Sequence, residues 1–438
     1  MKDNKVAVFT SFYDFDPGYS LCNVVEDQLR MLCNNDYKIK LFVDEAFHNP
    51  GGYWAHPNIT YAFIPAVQRS NDGQLNERWE EESKTVYEFL KTELEGYRVV
   101  LTHDIVLQPA ELIYNVAARK LAEERSDLRW LNWCHSPTQA VVNCNIPEVS
   151  EFISQKFPNS FICYPNDWDR KRVAMNHNLE LDEVKCVHHP SDFISLLCGD
   201  EEDFNEKGLK AFNLTRDFVK EFDVLSADVI SVYPCRLDRG KQPEFNIKTM
   251  AAIKKTGRSV CMIIFDFHST GGDKVVYREE LKRTAKEWGL TEKECIFISE
   301  WREETRYNVP RRFIMNMKMF SDFHMHPSNT ETYSLVVQES IAAKNFLVLN
   351  YHNPVMSDVY GSKNALFEPF GSTVNIMDGE NGSTTININN EQLHFNNLAL
   401  KVIYFLENNP VLSEWRFIRQ NRNLNFVFKK ELEALLYA

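Results

Sequence analysis

The chain has 438 residues, of which 44% are hydrophobic and 25% are charged, and its formal net charge at pH 7 is −13. This composition is that of an ordinary globular protein, long enough for two domains with sizeable cores. The acidic balance argues against a broad surface for nucleic acid or anionic lipid. No apolar stretch approaches a membrane span and no basic-then-apolar signal segment begins the chain, so a cytoplasmic protein is expected.

The ten cysteines are scattered, contain no C-x-x-C pair, and in several cases lie within apolar runs, as Cys163, Cys235 and Cys261 do. This distribution indicates reduced core residues and no disulfide framework. The pair His188-His189 has no third ligand at a suitable spacing, so no metal site is expected.

The chain opens with an apolar run at Lys5–Thr10, a loop containing Gly18, an amphipathic helix and a strand at Ile39–Val43. Strand, loop, helix and strand in this order predict a Rossmann-like start. The segment contains no G-x-G-x-x-G, so a dinucleotide cofactor is not expected. Gly18 is either a turn glycine or a point where the backbone approaches a ligand.

Two histidines follow predicted strands. His103 ends the run Arg98–His103, and His135 ends the run Leu128–His135. Ligands of open α/β sheets gather at the carboxyl ends of the strands, where a neutral histidine can hydrogen-bond a hydroxyl group. We take His135 as the first candidate and His103 as the second, with a purely structural role for His103 as the alternative.

The charged stretch 199–223 is predicted to be a helical linker, after which the alternation of strands and helices begins again at Asp228–Tyr233. A second doubly wound sheet is therefore expected. Later in the chain, a buried strand ends at Met325, a loop follows, and a helix is predicted from Ser334. Glu331 lies in that loop and Glu339 in that helix.

This junction suits a nucleoside diphosphate sugar. The first N–H groups of the helix, near Tyr333, Ser334 and Leu335, would receive the diphosphate. Glu339 follows Ser334 by roughly 7.5 Å of helix rise and would accept hydrogen bonds from a ribose diol, while Glu331 would face the sugar. The alternative is an ordinary helix with an exposed Glu331 and a surface ion pair at Glu339.

The segment Ser321–Ser328, followed by Glu331 and Glu339, resembles the E-x7-E pattern of glycosyltransferase family 4, whose members are retaining GT-B enzymes. Upstream, Val232–Lys241 resembles the strand and R-x4-K motif of the same family. The resemblance implies that Arg236 and Lys241 hold the donor diphosphate. It also makes His135 the match for a histidine that contacts the donor sugar, and Gly18 a partial match for a glycine of the first loop.

The implied fold is α/β with GT-B architecture, in which two Rossmann-like domains face each other across a cleft. Residues 1–222 would form the acceptor-side domain, joined by a C-terminal helix at 411–438, and residues 223–410 would bind the donor. The implied reaction is a metal-independent, front-face transfer with retention from a nucleoside diphosphate sugar, with UDP favoured, to a saccharide or other hydroxyl compound. Glu331, His135, Arg236 and Lys241 would be catalytic, and no cofactor is needed besides the donor.

Other functions remain open. The first is a virus-type DNA glycosyltransferase acting on hydroxymethylated bases, and the others are a GT-B phosphorylase and a non-catalytic sugar-nucleotide binder. The chain also departs from the family pattern. Ser334 stands where glycine is usual, Ser340 replaces alanine, and Lys344-Asn345-Phe346 stands in place of G-x-P. These departures suggest a divergent branch.

Overall fold

The computed structural model describes residues 4–15, 20–70, 73–137, 144–199, 206–267, 269, 272–361, 365–370, 372–375, 382–385, 390–409 and 411–412. The chain divides into two compact units, Met1–Asp192 and Phe193–Ala438. Each contains its own parallel sheet with helices, as the sequence predicts.

Unit 1 contains a seven-stranded sheet in the order β3-β2-β1-β4-β5-β6-β7, and every neighbouring pair is parallel. Its strands are β1 (Lys5–Phe9), β2 (Lys38–Asp44), β3 (Ile59–Ile64), β4 (Val99–His103), β5 (Arg129–Trp133), β6 (Ser160–Tyr164) and β7 (Val184–Cys186). Its helices are α1 (Ser20–Cys33), α2 (Trp79–Glu93), α3 (Leu112–Glu124), α4 (Pro147–Ser154) and α5 (Arg170–Asn176). Two hydrophobic clusters cover the two faces of this sheet, which explains why its strands are near-continuous apolar runs.

Unit 2 contains a six-stranded parallel sheet in the order β10-β9-β8-β11-β12-β13 and a separate antiparallel pair, β14-β15. Its strands are β8 (Val229–Pro234), β9 (Val260–Phe265), β10 (Cys295–Phe297), β11 (Phe323–His326), β12 (Phe346–Asn350), β13 (Leu366–Glu368), β14 (Ser372–Asn375) and β15 (Gly382–Thr385). Its helices are α6 (Phe193–Cys198), α7 (Glu206–Glu221), α8 (Pro243–Lys254), α9 (Asp273–Glu287), α10 (Arg311–Phe320), α11 (Leu335–Ala342), α12 (Pro354–Tyr360) and α13 (Glu391–Asn408).

The units divide earlier in the chain than the predicted boundary at 222, because α7 belongs to unit 2. Leu214 and Phe218 of this helix are buried in one hydrophobic cluster with Ile230 of β8 and Phe313 of α10. The described helix of the predicted linker, α7, therefore contributes to the core of unit 2. The predicted return of the C-terminal segment 411–438 to the first domain lies, beyond residue 412, outside the described residues.

Two further features concern the class of protein. The ten cysteines all lie within the described residues, and each is a free thiol. Among the described helices, none has the length and hydropathy that a membrane crossing requires.

Candidate functional site

In each sheet the strand order reverses next to the first strand, so that consecutive connections leave in opposite directions. In unit 2 this switch point lies between β8 and β11, and in unit 1 it lies between β1 and β4. Parallel sheets bind ligands at the carboxyl ends of strands at such a point. His326 is the last residue of β11 and Tyr233 the penultimate residue of β8, and their rings meet edge to face with centroids 6.0 Å apart.

Three buried side-chain amides fix the loop that follows β11. The Gln242 Nε2 donates to the carbonyl of Pro327 at 2.6 Å, and the Asn350 Nδ2 lies 3.2 Å from the carbonyls of both Pro327 and Ser328. Asn353 Nδ2 donates to the Ser328 carbonyl at 3.3 Å. Because buried backbone carbonyls are satisfied this way, the loop has one defined path, and that path determines where Glu331 lies.

The R-x4-K loop packs directly on this same loop through a glycine. The Asn329 N–H donates to the Gly240 carbonyl at 2.9 Å. A Cβ atom at position 240 would lie only 2.8 Å from Asn329 Oδ1, closer than real Cβ contacts come. A side chain at position 240 would therefore displace the Asn329 side chain where the two loops approach each other, and this approach brings Lys241 to Glu331.

Glu331 is held by two neighbours. Its Oε1 accepts hydrogen bonds from Lys241 Nζ at 2.5 Å and from His326 Nε2 at 2.9 Å. Burial would raise the pKa of Glu331, but the Lys241 ammonium and the His326 hydrogen bond outweigh it and hold the pKa well below its usual range. Within the described part of the chain, both hydrogen bonds fall on Oε1, so Oε2 remains for a ligand.

His326 is almost fully buried, and burial lowers its pKa although Glu331 opposes this shift. The imidazole is therefore neutral near pH 7 and donates its Nε2 proton to Glu331. The Ser334 hydroxyl lies 3.3 Å from the same nitrogen. His326 thus connects the end of β11, the loop carboxylate and the start of α11.

Ser334 adopts a left-handed conformation, with φ 68° and ψ 81°, immediately before α11. Glycine has little cost in this conformation, so serine occupies the backbone geometry that the family pattern assigns to glycine. Tyr360 stabilises this turn, since its hydroxyl lies 2.8 Å from the Tyr333 carbonyl and 2.6 Å from that of Ser334. Among the described residues, nothing accepts a hydrogen bond from the N–H groups of Leu335 and Val336, as an anion site at a helix start requires.

Glu339 lies one turn further along α11 and pairs with two cations of α10. Its Oε1 accepts from Arg311 Nε at 3.0 Å and its Oε2 from Lys318 Nζ at 2.8 Å. Burial would raise the pKa of Glu339, but these cations lower it, so the carboxylate is charged. Each carboxylate oxygen has a second lone pair, so the geometry leaves capacity for a ribose hydroxyl.

Arg236 lies on the loop between β8 and α8. Its side chain is 60% exposed and pairs with Asp238 at 3.0 Å. The sequence expectation that Arg236 and Lys241 both bind a diphosphate stays a prediction for Arg236. Lys241 is more enclosed, with 28% of its side chain exposed.

In unit 1, His103, His135 and His189 form what we call the histidine stack. The His103 and His135 ring centroids lie 5.5 Å apart, and those of His135 and His189 lie 5.0 Å apart. Burial lowers the pKa of all three, so the rings are neutral near pH 7. His103 and His135 also share a hydrogen bond, in which His103 Nδ1 and His135 Nε2 lie 3.2 Å apart.

The structure brings most of the predicted residues together within their units. Lys241, Glu331, Tyr333, Ser334, Leu335 and Glu339 lie around one loop and helix start in unit 2, and the two predicted histidines touch in unit 1. Gly18 lies outside the described residues.

The sequence reasoning missed four participants. His326 lies at the end of a buried strand, as His103 and His135 do. The same signal therefore identifies it. Arg311 belongs to the basic pair Arg311-Arg312, which from sequence alone is typical of a solvated surface, whereas in the structure it pairs with Glu339. Lys318 and His189 carry no local signal, because their roles depend on neighbours distant in sequence.

Metal binding receives no support from the described residues. Among them, no group of three or more histidine, cysteine, aspartate or glutamate side chains is arranged to hold an ion.

No protein-family model and no curated protein sequence matches this chain. Solved structures do. A glycosyltransferase from Rickettsia africae ESF-5 is 14% identical, with a TM-score of 0.57 over 98% of this chain and 97% of that one. HepE from Anabaena, in complex with UDP and glucose, is 12% identical, with a TM-score of 0.57 over 99% of this chain and 100% of that one. The α,α-trehalose 6-phosphate synthase from Burkholderia multivorans is 15% identical, with a TM-score of 0.56 over 99% and 96%.

The chain has a GT-B fold. The match extends over nearly the whole of each chain, and both units have the parallel Rossmann-like sheets that the sequence predicts. At these identities the likeness shows the fold alone.

Proposed function

We infer that this protein is a glycosyltransferase that moves a sugar from a nucleoside diphosphate sugar to an acceptor hydroxyl. The observation that carries the proposal is the position of Glu331. It is fixed by Lys241 and His326 at the switch point of the unit 2 sheet, next to the helix start whose first N–H groups make no hydrogen bond within the described residues. The GT-B fold supports the same conclusion, since the similar structures include glycosyltransferases.

Lys241 can hold Glu331 and a phosphate at the same time. Its ammonium group has three N–H donors, of which Glu331 Oε1 uses one, and a diphosphate oxygen needs only one more. The α11 N-terminus would add the N–H groups of Leu335 and Val336 and the positive end of the helix dipole. Arg236 would complete the charge compensation as the diphosphate leaves.

The carboxylates of Glu331 and Glu339 would determine the orientation of the bound donor. Glu339 would accept hydrogen bonds from the ribose, and the Oε2 atom of Glu331 would accept from a hydroxyl of the transferred sugar. For His135, the family resemblance predicts a contact with a sugar hydroxyl. In this proposal the acceptor hydroxyl attacks from the face that the leaving group departs, the leaving phosphate takes its proton, and the anomeric configuration is retained. No metal has a role in it.

UDP is the nucleotide we favour, because HepE and other similar structures contain UDP or a UDP-sugar. The acceptor is a saccharide or another hydroxyl compound, and hydroxymethylated DNA is tested beside it. A phosphorylase with this fold would place inorganic phosphate where the diphosphate is proposed, so the experiment includes phosphate.

The test is the change in melting temperature on adding UDP, GDP, ADP, their sugar conjugates or inorganic phosphate. A ligand at about a hundred times its Kd stabilises the fold by about 2.7 kcal/mol. We expect one nucleotide to do so for the wild type and not for Lys241→Ala or Glu339→Ala. The exposed Lys286→Met, on α9, is the matched control and should keep the full shift.

Because Lys241→Ala leaves a buried carboxylate with fewer partners, the comparison is between each variant with and without ligand. A nucleotide that stabilises the wild type would next be supplied as its sugar conjugate, and the product anomer would be read by NMR. Stabilisation by phosphate and by no nucleotide would replace the proposal with a phosphorylase. No response to any of these ligands in a folded sample would refute it.

A further inference from the structure

His135 is in hydrogen-bond contact with a second histidine, and that contact determines which of its ring nitrogens carries the proton. A neutral imidazole has one N–H donor and one unprotonated acceptor. The role that His135 can have toward a ligand therefore depends on its tautomer, which the neighbours of the ring select.

The hydrogen bonds run in a chain that begins in α1. Gln28, which is completely buried, places its Oε1 atom 2.8 Å from His103 Nε2. An amide oxygen only accepts, so His103 donates its proton from Nε2 and its Nδ1 atom is unprotonated. His103 Nδ1 lies 3.2 Å from His135 Nε2. The proton in that hydrogen bond must then come from His135 Nε2, which leaves His135 Nδ1 as an acceptor.

The surroundings hold the rings in place for this chain. His103 is the last residue of β4, and its register partner in β5 is Trp133, two residues before His135. The His135 N–H donates to Asp104 Oδ1 at 2.9 Å, and the His103 ring stacks on Trp133 with centroids 5.9 Å apart. Both imidazoles are therefore fixed by backbone, carboxylate and ring contacts. We expect a single direction for the hydrogen bonds that connect Gln28, His103 and His135.

We propose that Gln28 and His103 are positioning residues that hold the His135 imidazole in its Nε2–H tautomer, so that Nδ1 is its hydrogen-bond acceptor. In this tautomer Nδ1 can accept a hydrogen bond and cannot donate one. A contact of His135 with a sugar rests on the glycosyltransferase function proposed above. The tautomer itself does not, because it is a property of the protein without ligand.

The tautomer is measured by nitrogen NMR on protein labelled with 15N only at its 12 histidines. Single replacements assign the resonances. Near pH 8 we expect His103 and His135 each to show a protonated Nε2 and an unprotonated Nδ1. We also expect a scalar coupling between His103 Nδ1 and His135 Nε2 across their shared hydrogen bond. A proton on Nδ1 of either residue would overturn the proposal, since it would mean that the Gln28 amide donates.

Gln28→Met tests the hydrogen bond between Gln28 and His103, because methionine has a similar length and no amide oxygen to accept the proton. We expect the fixed tautomer signature of His103 and His135 to be replaced by averaging between the two forms. The exposed His48 of unit 1 should be unchanged and is the internal reference. An unaltered signature at both histidines would contradict the role of Gln28.

The second arm compares His103→Asn with His103→Leu. Asparagine retains an acceptor for the His135 proton, whereas leucine does not. We expect His103→Asn to keep the Nε2–H signature of His135 and His103→Leu to lose it. In sugar transfer, His103→Leu should lower kcat about tenfold with little change in the donor KM, and His103→Asn should recover most of that loss. Equal signatures at His135 in the two variants would refute the positioning role, whether or not any sugar is transferred.

Discussion

Lys318 gives the sharpest stability prediction. It is a completely buried lysine, and its Nζ atom donates to Glu339 Oε2 at 2.8 Å and to the Val336 carbonyl at 2.9 Å. Burial lowers its pKa, while Glu339 opposes the shift. Lys318→Met keeps a similar volume but removes the cation, so it leaves one oxygen of a mostly buried carboxylate and one carbonyl without their donor.

The magnitude follows from these contacts. Breaking a buried ion pair on one side costs about 3–5 kcal/mol. Arg311 still pairs with the other oxygen of Glu339 at 3.0 Å, and methionine avoids the desolvation cost of the ammonium, so the lower end applies. We expect Lys318→Met to lower the free energy of unfolding by about 3 kcal/mol. For a unit of this size that corresponds to roughly 6–12 °C in melting temperature.

A double-mutant cycle with Glu339→Gln separates this cause from general damage to the core. If an uncompensated carboxylate is responsible, the double variant should be less destabilised than the sum of the two single variants, by about 1–2 kcal/mol. Urea unfolding measures the four states, with the exposed Lys286→Met as the control, which should lie within about 0.5 kcal/mol of the wild type. Additive effects, or a Lys318→Met variant within about 1 kcal/mol of the wild type, would refute the reasoning.

Three further predictions concern the loops and the histidine stack. Ser334→Gly should stabilise unit 2 by about 1 kcal/mol, because it relieves the left-handed conformation, whereas Ser334→Ala should not; equal melting temperatures for the two would contradict this. Gly240→Ala should reduce the thermal shift produced by nucleotide, and Asn329→Ala in the same chain should restore part of it by removing the atom that the new methyl group meets. If the double variant responds no better than Gly240→Ala, the contact is not the cause. Finally, each histidine of the stack has a pKa below that of the unfolded chain, about 6.5. The unfolded chain therefore binds more protons below that pH. The contribution of the neutral histidines to the free energy of unfolding is complete above about pH 6.5 and is lost as pH falls toward the folded-state pKa values. The free energy of unfolding should change with pH by at most about 1.4 kcal/mol per pH unit for each histidine, as measured by urea unfolding between pH 5 and 7.5. Replacing one of the three histidines by phenylalanine should lower this pH dependence. An unchanged pH dependence would argue against the stack as its source.

The local sequence pattern was sufficient for the elements and for much of the site. The strand predicted to end at Met325 extends one residue further, to His326, and the helix predicted from Ser334 begins at Leu335 with Ser334 as its N-cap. Both elements follow from patterns within a few neighbouring residues. The domain boundary was placed too late, because the charges of α7 suggested a linker while Leu214 and Phe218 carry its buried face. Charge is a property of one face of a helix, and the apolar face decides what the helix packs against.

The sequence alone determined the two Rossmann-like units and placed both glutamates near one strand-to-helix junction, because periodicity and turn chemistry act over short distances along the chain. Lys241 was added to this site by the family resemblance. Only the tertiary structure decided which residues form pairs. Lys241 meets Glu331 across 90 residues and Gln28 meets His103 across 75, through the strand order at the two switch points and the approach that Gly240 allows. Such pairs depend on which strands become neighbours in the sheet, and the local sequence pattern does not determine this. The charge of Glu331 and the tautomer of His135 therefore follow from the fold.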